Sequence, residues 1–220
     1  LSASAEWQNE LNSVTEDIVY NAQTGSRTTR PVNINGNWSA GGEVYYRQSF
    51  GAFNINTNIR GDYSQNIALM NAERSYTRSN SIQCGLQANY APKWGRIALR
   101  TLWNIHRSTY TQNHSHDLLR HYSTSLDAYA TMFDCLTLNT TATYSLRSGT
   151  NVQRKDRSQI VWNTSAEWRF LHKKQLTLGL SWNDILSQRR SYQRDADLTG
   201  LNETYTPQIG SYALVTLRYD

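Results

Sequence analysis

The chain has 220 residues and a formal net charge of +5. Apolar residues make up 38% of it and its mean hydropathy is −0.67, and no stretch approaches the roughly 20 apolar residues of a membrane-spanning helix. The positive charge is dilute and mixed with acids, which disfavours a nucleic-acid-binding protein. The only cysteines are Cys84 and Cys135, which we interpret as isolated thiols rather than a disulfide framework or a metal site.

The dominant pattern in the sequence is the alternation of apolar with polar residues, which recurs in ten stretches. Successive side chains of a strand point to opposite faces, so each stretch predicts a strand with one apolar and one polar face. The first stretch starts at once, with Ala3, Ala5 and Trp7 alternating with polar residues and no signal peptide ahead of them. From this start we expect the chain to be a fragment. The ten predicted strands cover about residues 1–20, 33–47, 53–63, 82–90, 97–106, 125–132, 136–146, 160–170, 175–183 and 213–219.

The connections between these strands alternate in length. Those after the second, fourth, sixth and eighth strands are predicted to be tight, at Gly51-Ala52, 91–95, Asp134-Cys135 and 172–174. The others are longer and polar, at 24–30, 71–78, 112–120, 148–157 and 191–207. Short turns at one rim and long loops at the other are typical of an outer-membrane barrel. The regular order predicts an up-and-down meander.

Aromatic residues provide an independent indication of a membrane. All four phenylalanines lie within a few residues of a predicted short turn: Phe50, Phe53, Phe133 and Phe170. Aromatic belts form where such rings meet the lipid headgroups. A soluble β-sandwich or solenoid also alternates, but its strands average about 5–6 residues and its outer faces are charged. The long strands and neutral polar faces favour the wall of a transmembrane β-barrel: an all-β, antiparallel up-and-down segment in a single domain, 1–220.

Two stretches resemble the barrels of TonB-dependent receptors. The first is Asn183-Asp184-Ile185-Leu186-Ser187-Gln188, followed by Arg190-Ser191-Tyr192-Gln193 and, after a long loop, by Ile209-Gly210-Ser211-Tyr212. The second is Thr24-Gly25-Ser26-Arg27-Thr28-Thr29-Arg30-Pro31, followed by Asn35-Gly36-Asn37-Trp38. Together they resemble the outer-membrane β-barrel family allied to those receptors, and the likeness extends loosely over the whole chain.

The resemblance implies a barrel of about 22 strands plugged from within, of which this chain is the C-terminal portion. It implies uptake of a large nutrient ligand across the outer membrane of a Gram-negative bacterium. The implied partners are outer-membrane lipid and lipopolysaccharide, the remainder of the barrel, a plug domain and, through the parent protein, the TonB energy-coupling system. The plug and the energy-coupling box have no match here, and the chain ends Tyr219-Asp220 where such barrels usually end on an aromatic residue. The alternative is a self-closed ten-stranded barrel with a structural or adhesive role.

Charged residues on the polar register are the candidate lumen-facing groups, which either pair across strands and contact a plug or meet a ligand directly. They are Glu43, Arg47, Arg60, Asp62, Arg100, His106, Asp127, Glu167 and Arg169. No catalytic constellation follows from their spacing, so we expect neither an enzyme nor a cofactor.

The predicted long loops are rich in arginine, whose guanidinium group binds phosphates and carboxylates with two hydrogen bonds. Lipopolysaccharide or another anionic ligand is one interpretation, and scattered solvated charge beside Asp156, Asp195 and Asp197 is the other. The candidate ligand contacts are Arg27, Arg30, Arg74, Arg154, Arg157, Tyr192 and Arg194, and the same loops carry Arg78 and Arg120. One loop also contains His114-Ser115-His116-Asp117, which is a weak metal-binding pattern, and no metal site is predicted from it.

Overall fold

The computed structural model describes residues 1–21, 23–111, 115–150, 157–171, 175–197 and 200–219. At residues 20, 115, 192–197 and 200–203 it describes the backbone only. The described residues form fourteen strands. The strands are β1 (Ser2–Glu10), β2 (Ser13–Tyr20), β3 (Arg27–Ile34), β4 (Asn37–Phe50), β5 (Phe53–Met70), β6 (Glu73–Tyr90), β7 (Gly95–Tyr110), β8 (Ser115–Met132), β9 (Leu136–Gly149), β10 (Ser158–Phe170), β11 (Leu176–Asn183), β12 (Ser191–Asp197), β13 (Gly200–Thr206) and β14 (Tyr212–Tyr219). No helix in the described residues is long and apolar enough to cross a membrane.

Ten of these strands form a meander in the order β1-β4-β5-β6-β7-β8-β9-β10-β11-β14. Every pairing along this path is antiparallel. The all-β, up-and-down fold predicted from the sequence is therefore confirmed. Within the described residues the sheet is open, with β1 and β14 at its edges, an arrangement consistent with a segment of a barrel.

The two faces of the sheet differ in the way that the alternation predicts. Ile59 of β5 lies opposite Val44 of β4 and Cys84 of β6, and Cys84 lies opposite Trp103 of β7. The described pairings along the meander run without a bulge, so alternation assigns each residue to a face. We call the side that carries Ile59 the apolar face and the opposite side the polar face.

The apolar face is exposed rather than buried. Trp7 is 69% exposed, Ile59 56% and Trp103 49%. Among the described residues the buried hydrophobic side chains are few: Ile18, Ile34, Ile67, Ala98 and Tyr110. A soluble monomer rarely leaves so extended an apolar surface uncovered, so this face requires a partner or a lipid environment.

The first predicted strand, 1–20, is two strands in the structure. It breaks after β1, where Asn12 adopts a positive φ of 53°, and β2 then forms a hairpin with β3. β2 takes the place beside β5 that β4 leaves empty, pairing in parallel at Asp17 with Leu69. Asp17 is 1% exposed and accepts two hydrogen bonds from Arg30, at 2.9 and 2.7 Å. This ion pair joins the two strands of the hairpin.

Four of the predicted connections differ in the structure. In the first, 24–30, residues 27–30 belong to β3. The segment 71–78 consists of a two-residue turn, Asn71-Ala72, with positive φ at both residues, followed by the beginning of β6. The strands on either side of the turn, β5 and β6, are each 18 residues long. Residues 115–120 belong to β8, and 191–207 contains the hairpin β12–β13. These strand ends extend beyond the apolar belt and lack an alternating apolar face, so their composition resembles that of loops. Only their pairing with neighbouring strands identifies them as strands.

The short turns agree with the prediction where they are described. Gly51-Ala52 joins β4 to β5, and residues 91–94 join β6 to β7. The turn from β8 to β9 starts one residue earlier than predicted and spans Phe133–Cys135, with positive φ at Phe133 and Asp134. The predicted turn at 172–174 lies outside the described residues.

Candidate functional site

The polar face carries a charged cluster with members on β1, β5 and β6, which reaches across the intervening strand β4. The Arg60 guanidinium on β5 lies 2.8 Å from a carboxylate oxygen of Glu6 on β1 and 2.7 Å from one of Asp62 on its own strand. Ser81 on β6 donates a hydrogen bond of 3.4 Å to Asp62. Two acids share one guanidinium, so this part of the face is a compact, partly neutralised group in which neither carboxylate is free to act alone.

Gly41 on β4 is the residue that makes room for this cluster. A Cβ atom at that position would lie 2.6 Å from Asp62 Oδ1 and 3.3 Å from Glu6 Oε1. The side chains of β1 and β5 therefore reach toward each other across a glycine that lies between them. Cross-strand neighbours of this kind determine which polar pairs form on a sheet face.

A second ion pair lies further along the same face. Arg100 on β7 lies 2.9 Å from Asp127 on β8. The other oxygen of Asp127 accepts a hydrogen bond of 3.1 Å from the Thr141 hydroxyl on β9. The Asp127 carboxylate is thus held from both sides, by a cation on one strand and a hydroxyl on the other.

Near the short turns 51–52 and 91–94 the polar face is lined by side-chain amides. Asn89 on β6 donates to Asn54 on β5 at 2.8 Å, and its own oxygen accepts from Arg96 at 3.0 Å and from Gln87 at 3.1 Å. Neighbouring strands are therefore linked by side chains as well as by the backbone ladder.

A neutral hollow of about 210 Å³ continues this face over β9, β10 and β11. Its polar-face residues are Asn139, Thr141, Asn163, Ser165, Ser181 and Asn183. Amides and hydroxyls present both donors and acceptors, so this surface suits water or an uncharged, hydroxyl-bearing ligand better than a strongly charged one.

Six of the nine predicted lumen-facing residues make polar side-chain contacts in the structure. Arg60 pairs with Asp62 and Arg100 with Asp127 as described, Glu43 accepts a hydrogen bond of 3.3 Å from Asn58, and His106 lies 3.0 Å from the Ser108 hydroxyl. Within the described part of the chain the other three make no ion pair: Arg47, Glu167 and Arg169.

Sequence reasoning missed two of the charged residues that make the contacts described above, Glu6 and Arg96. Both alternate with apolar neighbours, and Glu6 lies between Ala5 and Trp7. The period-two pattern places Glu6 on the polar register, but its contact with Arg60, 54 residues away, depends on the pairing of strands.

The predicted loop residues are more dispersed. Arg30 is bound to Asp17 as described, Arg27 begins β3, and Arg74 lies in β6 rather than in a loop. Arg157 directly precedes β10, while Arg154 lies outside the described residues. For the hairpin β12–β13 the backbone register places Tyr192 opposite Tyr205 and Arg194 opposite Glu203.

The segment after β11, which begins with Asp184-Ile185-Leu186-Ser187-Gln188, forms a closed corner. The Asp184 side chain is 1% exposed and accepts hydrogen bonds from the backbone N–H groups of Gln188, at 3.1 Å, and Arg189, at 2.9 Å. The backbone ladder between β10 and β11 ends at Thr164 and Trp182, and two glutamine side chains link the two segments beyond that point. Gln188 accepts a hydrogen bond from the Ile160 N–H at 3.0 Å, and Gln159 accepts one from the Arg190 N–H at 3.1 Å. This segment is therefore a structural device at the base of the hairpin β12–β13.

Neither a metal site nor a disulfide is found among the described residues. No group of three His, Cys, Asp or Glu side chains converges there; His116 and Asp117 lie in β8, and His114 lies outside the described part. Cys84 and Cys135 are free thiols. No protein-family model matches the chain, and no curated protein matches it.

Proposed function

We propose that this chain forms part of the wall of an outer-membrane β-barrel that takes up a large nutrient ligand, as in TonB-dependent receptors. The observation that carries the proposal is the apolar face itself. Across all ten strands of the meander its residues include no Asp or Glu, and its large apolar side chains are exposed. Lipid is the environment that such a face fits.

The height of the apolar face supports the same proposal. On β9 its apolar residues extend from Leu136 to Leu146, ten residue steps. This corresponds to about 33 Å along the strand and to about 25 Å at the tilt of about 40° that is usual in such barrels. Outer-membrane barrels carry an apolar band of about that height.

The polar face supports a role in passage rather than in anchoring alone. It consists of paired charges, amides and hydroxyls that hold one another, and it leaves a neutral hollow over β9 to β11. A lumen of this kind offers hydrogen-bonding groups to a hydrated ligand or to a plug.

A small self-closed barrel is the second candidate. The open edges at β1 and β14 favour a larger barrel, because unpaired backbone groups are not tolerated in lipid and further strands would pair with them.

Mass spectrometry and N-terminal sequencing of the polypeptide that carries this segment, isolated from native outer membranes, test the proposal. A chain several-fold larger than 25.2 kDa, with a globular domain ahead of further strands, is the expected result. A membrane-inserted chain near 25 kDa would refute the transporter and leave the self-closed barrel. Recovery only in the soluble fraction would refute both.

A further inference from the structure

Four arginines on the apolar face form a separate feature. The pairings of β6, β7 and β8 run without a bulge, so residues two apart share a face. Arg74 and Arg78 therefore lie on the same side of β6 as Ile82. By the same rule Arg107 follows Ile105 on β7, and Arg120 lies on the side of β8 that carries Leu126. We call Arg74, Arg78, Arg107 and Arg120 the arginine patch.

Three of the four arginines follow one another across neighbouring strands, and Arg74 lies two residues beyond Tyr76 at the start of β6. Arg78 lies opposite Thr109 and Asn80 lies opposite Arg107, so Arg78 and Arg107 are diagonal partners across the ladder. Ile105 lies opposite Arg120, which makes Arg107 and Arg120 diagonal partners in the same way. Diagonal neighbours on a sheet are about 7–8 Å apart, so Arg107 has an arginine on the strand to either side of it.

The patch has no counter-charge on its own face. The apolar-face positions of the ten meander strands include no Asp or Glu, and the arginines of the patch are their only Lys or Arg residues. All four side chains are exposed. Arg78 donates to Gln65 at 3.1 Å and lies 6.0 Å from the centre of the Tyr76 ring, and both contacts leave its charge unneutralised. Like charges this close repel one another, and an anion between them would remove that cost.

The patch lies directly against the apolar belt, at the rim of the sheet from which the chain leaves β11 for the hairpin β12–β13. Ile82 and Ile105 lie opposite each other, and Arg107 follows Ile105 by two residues, about 7 Å along the strand. A ligand that contacts both the belt and the patch must therefore carry an apolar part and an anionic headgroup at its end.

On these grounds we infer that the arginine patch binds the phosphate groups of lipopolysaccharide while the acyl chains of the same molecule lie on the apolar belt. This inference rests on the proposed function, since it requires the apolar face to contact the outer leaflet. Arginine suits the role because its planar guanidinium binds phosphate oxygens with two hydrogen bonds, whereas lysine acts as a point charge. The ligand inferred for the arginine patch lies on the outside of the barrel wall and is distinct from any molecule that passes through the lumen.

The test uses the purified intact polypeptide that carries this segment, and native mass spectrometry measures the lipopolysaccharide bound to it in zwitterionic detergent micelles. The probes are a rough lipopolysaccharide with both lipid A phosphates and the same lipid after enzymatic removal of those phosphates. The variant is the double substitution Arg107→Gln and Arg120→Gln, which spares the hydrogen bond from Arg78 to Gln65. The matched control is Arg47→Gln with Arg169→Gln, two exposed arginines of the polar face. A further variant, Arg107→Lys with Arg120→Lys, retains the positive charges but lacks the planar guanidinium groups that donate two hydrogen bonds.

We expect the Gln variant to bind the phosphorylated lipid roughly tenfold or more weakly, because two charge-assisted contacts are lost. The Lys variant should lie between it and the wild type, and the polar-face control should match the wild type. Equal binding of the dephosphorylated lipid, equal binding by the Gln variant, or displacement of the lipid by millimolar inorganic phosphate would each overturn the inference.

Membrane insertion is measured in parallel by protease protection in lipid vesicles. Wild-type protein that inserts but does not discriminate between the two lipids refutes the arginine patch alone. Wild-type protein that does not insert refutes the proposed function, and the inference fails with it.

Discussion

Replacing Leu86 with arginine places a charge at the centre of the apolar face of β6. Apolar-face residues of that strand run from Ile82 to Tyr90, and Leu86 is four residue steps from each end. The new charge would thus be about 13 Å along the strand from either boundary, or about 10 Å in depth at a tilt of about 40°. Leu86 is 47% exposed, so no protein group covers the arginine. At mid-depth in lipid, such a substitution costs about 2–4 kcal/mol.

The matched control is Leu102→Arg on β7. Leu102 lies opposite Gly85, and Thr101 lies opposite Leu86, so the two leucines are at nearly the same depth but on opposite faces. On the polar face the arginine meets Gly85 and Ser123 and a hydrated surface. We therefore expect a change below about 1 kcal/mol there, typical of an exposed substitution.

The assay is unfolding in guanidinium chloride of the protein folded into phospholipid vesicles, followed by tryptophan fluorescence. The expected result is a free energy of unfolding that falls by about 2–4 kcal/mol for Leu86→Arg and is nearly unchanged for Leu102→Arg. Equal losses for the two variants, or a larger loss for Leu102→Arg, would refute the assignment of faces to lipid and lumen.

Three further substitutions test particular contacts. Asp17→Asn should weaken the ion pair with Arg30 by about 1–3 kcal/mol, seen as faster amide hydrogen exchange in the hairpin β2–β3, whereas unchanged exchange would contradict the role of the pair. Gly41→Ala should displace the Asp62 carboxylate and lower the unfolding free energy by up to about 1 kcal/mol; Gly61→Ala, with no atom within 4 Å of the new Cβ, should raise it by about 0.4–1 kcal/mol, and the reverse order would refute the crowding argument. Asp184→Ala should open the corner after β11 at a cost of about 1–3 kcal/mol, detected as new protease cleavage before β12; resistance equal to wild type would count against it.

The ten strands of the meander and their two faces could be predicted from the sequence because alternation is a local signal. Ile82, Cys84 and Leu86 already indicate the apolar face of β6 without knowledge of a partner strand. The pairing of Arg60 with Glu6 could not be predicted in this way, because it depends on the register of β1 with β4 and of β4 with β5.

The arginine patch shows the same limit. The polar ends of β6 and β8 give Arg74, Arg78 and Arg120 the sequence surroundings of loop residues, and alternation alone gives no reason to select Arg107. Only the continuous pairing of β6, β7 and β8 shows that these arginines share a face and lie beside one another. The position of β2 next to β5 likewise depends on where β4 begins, because β2 pairs with the part of β5 that β4 does not reach. No local pattern in the sequence reveals this position.

The hairpin β12–β13 pairs with no other strand among the described residues, while β11 pairs directly with β14 across its base. The buried Asp184 fixes the path of the chain at the point where it leaves β11. Insertions, deletions or sequence changes within the hairpin therefore leave the register of the meander intact. The hairpin can therefore vary in length and sequence while the paired strands beside it keep their positions.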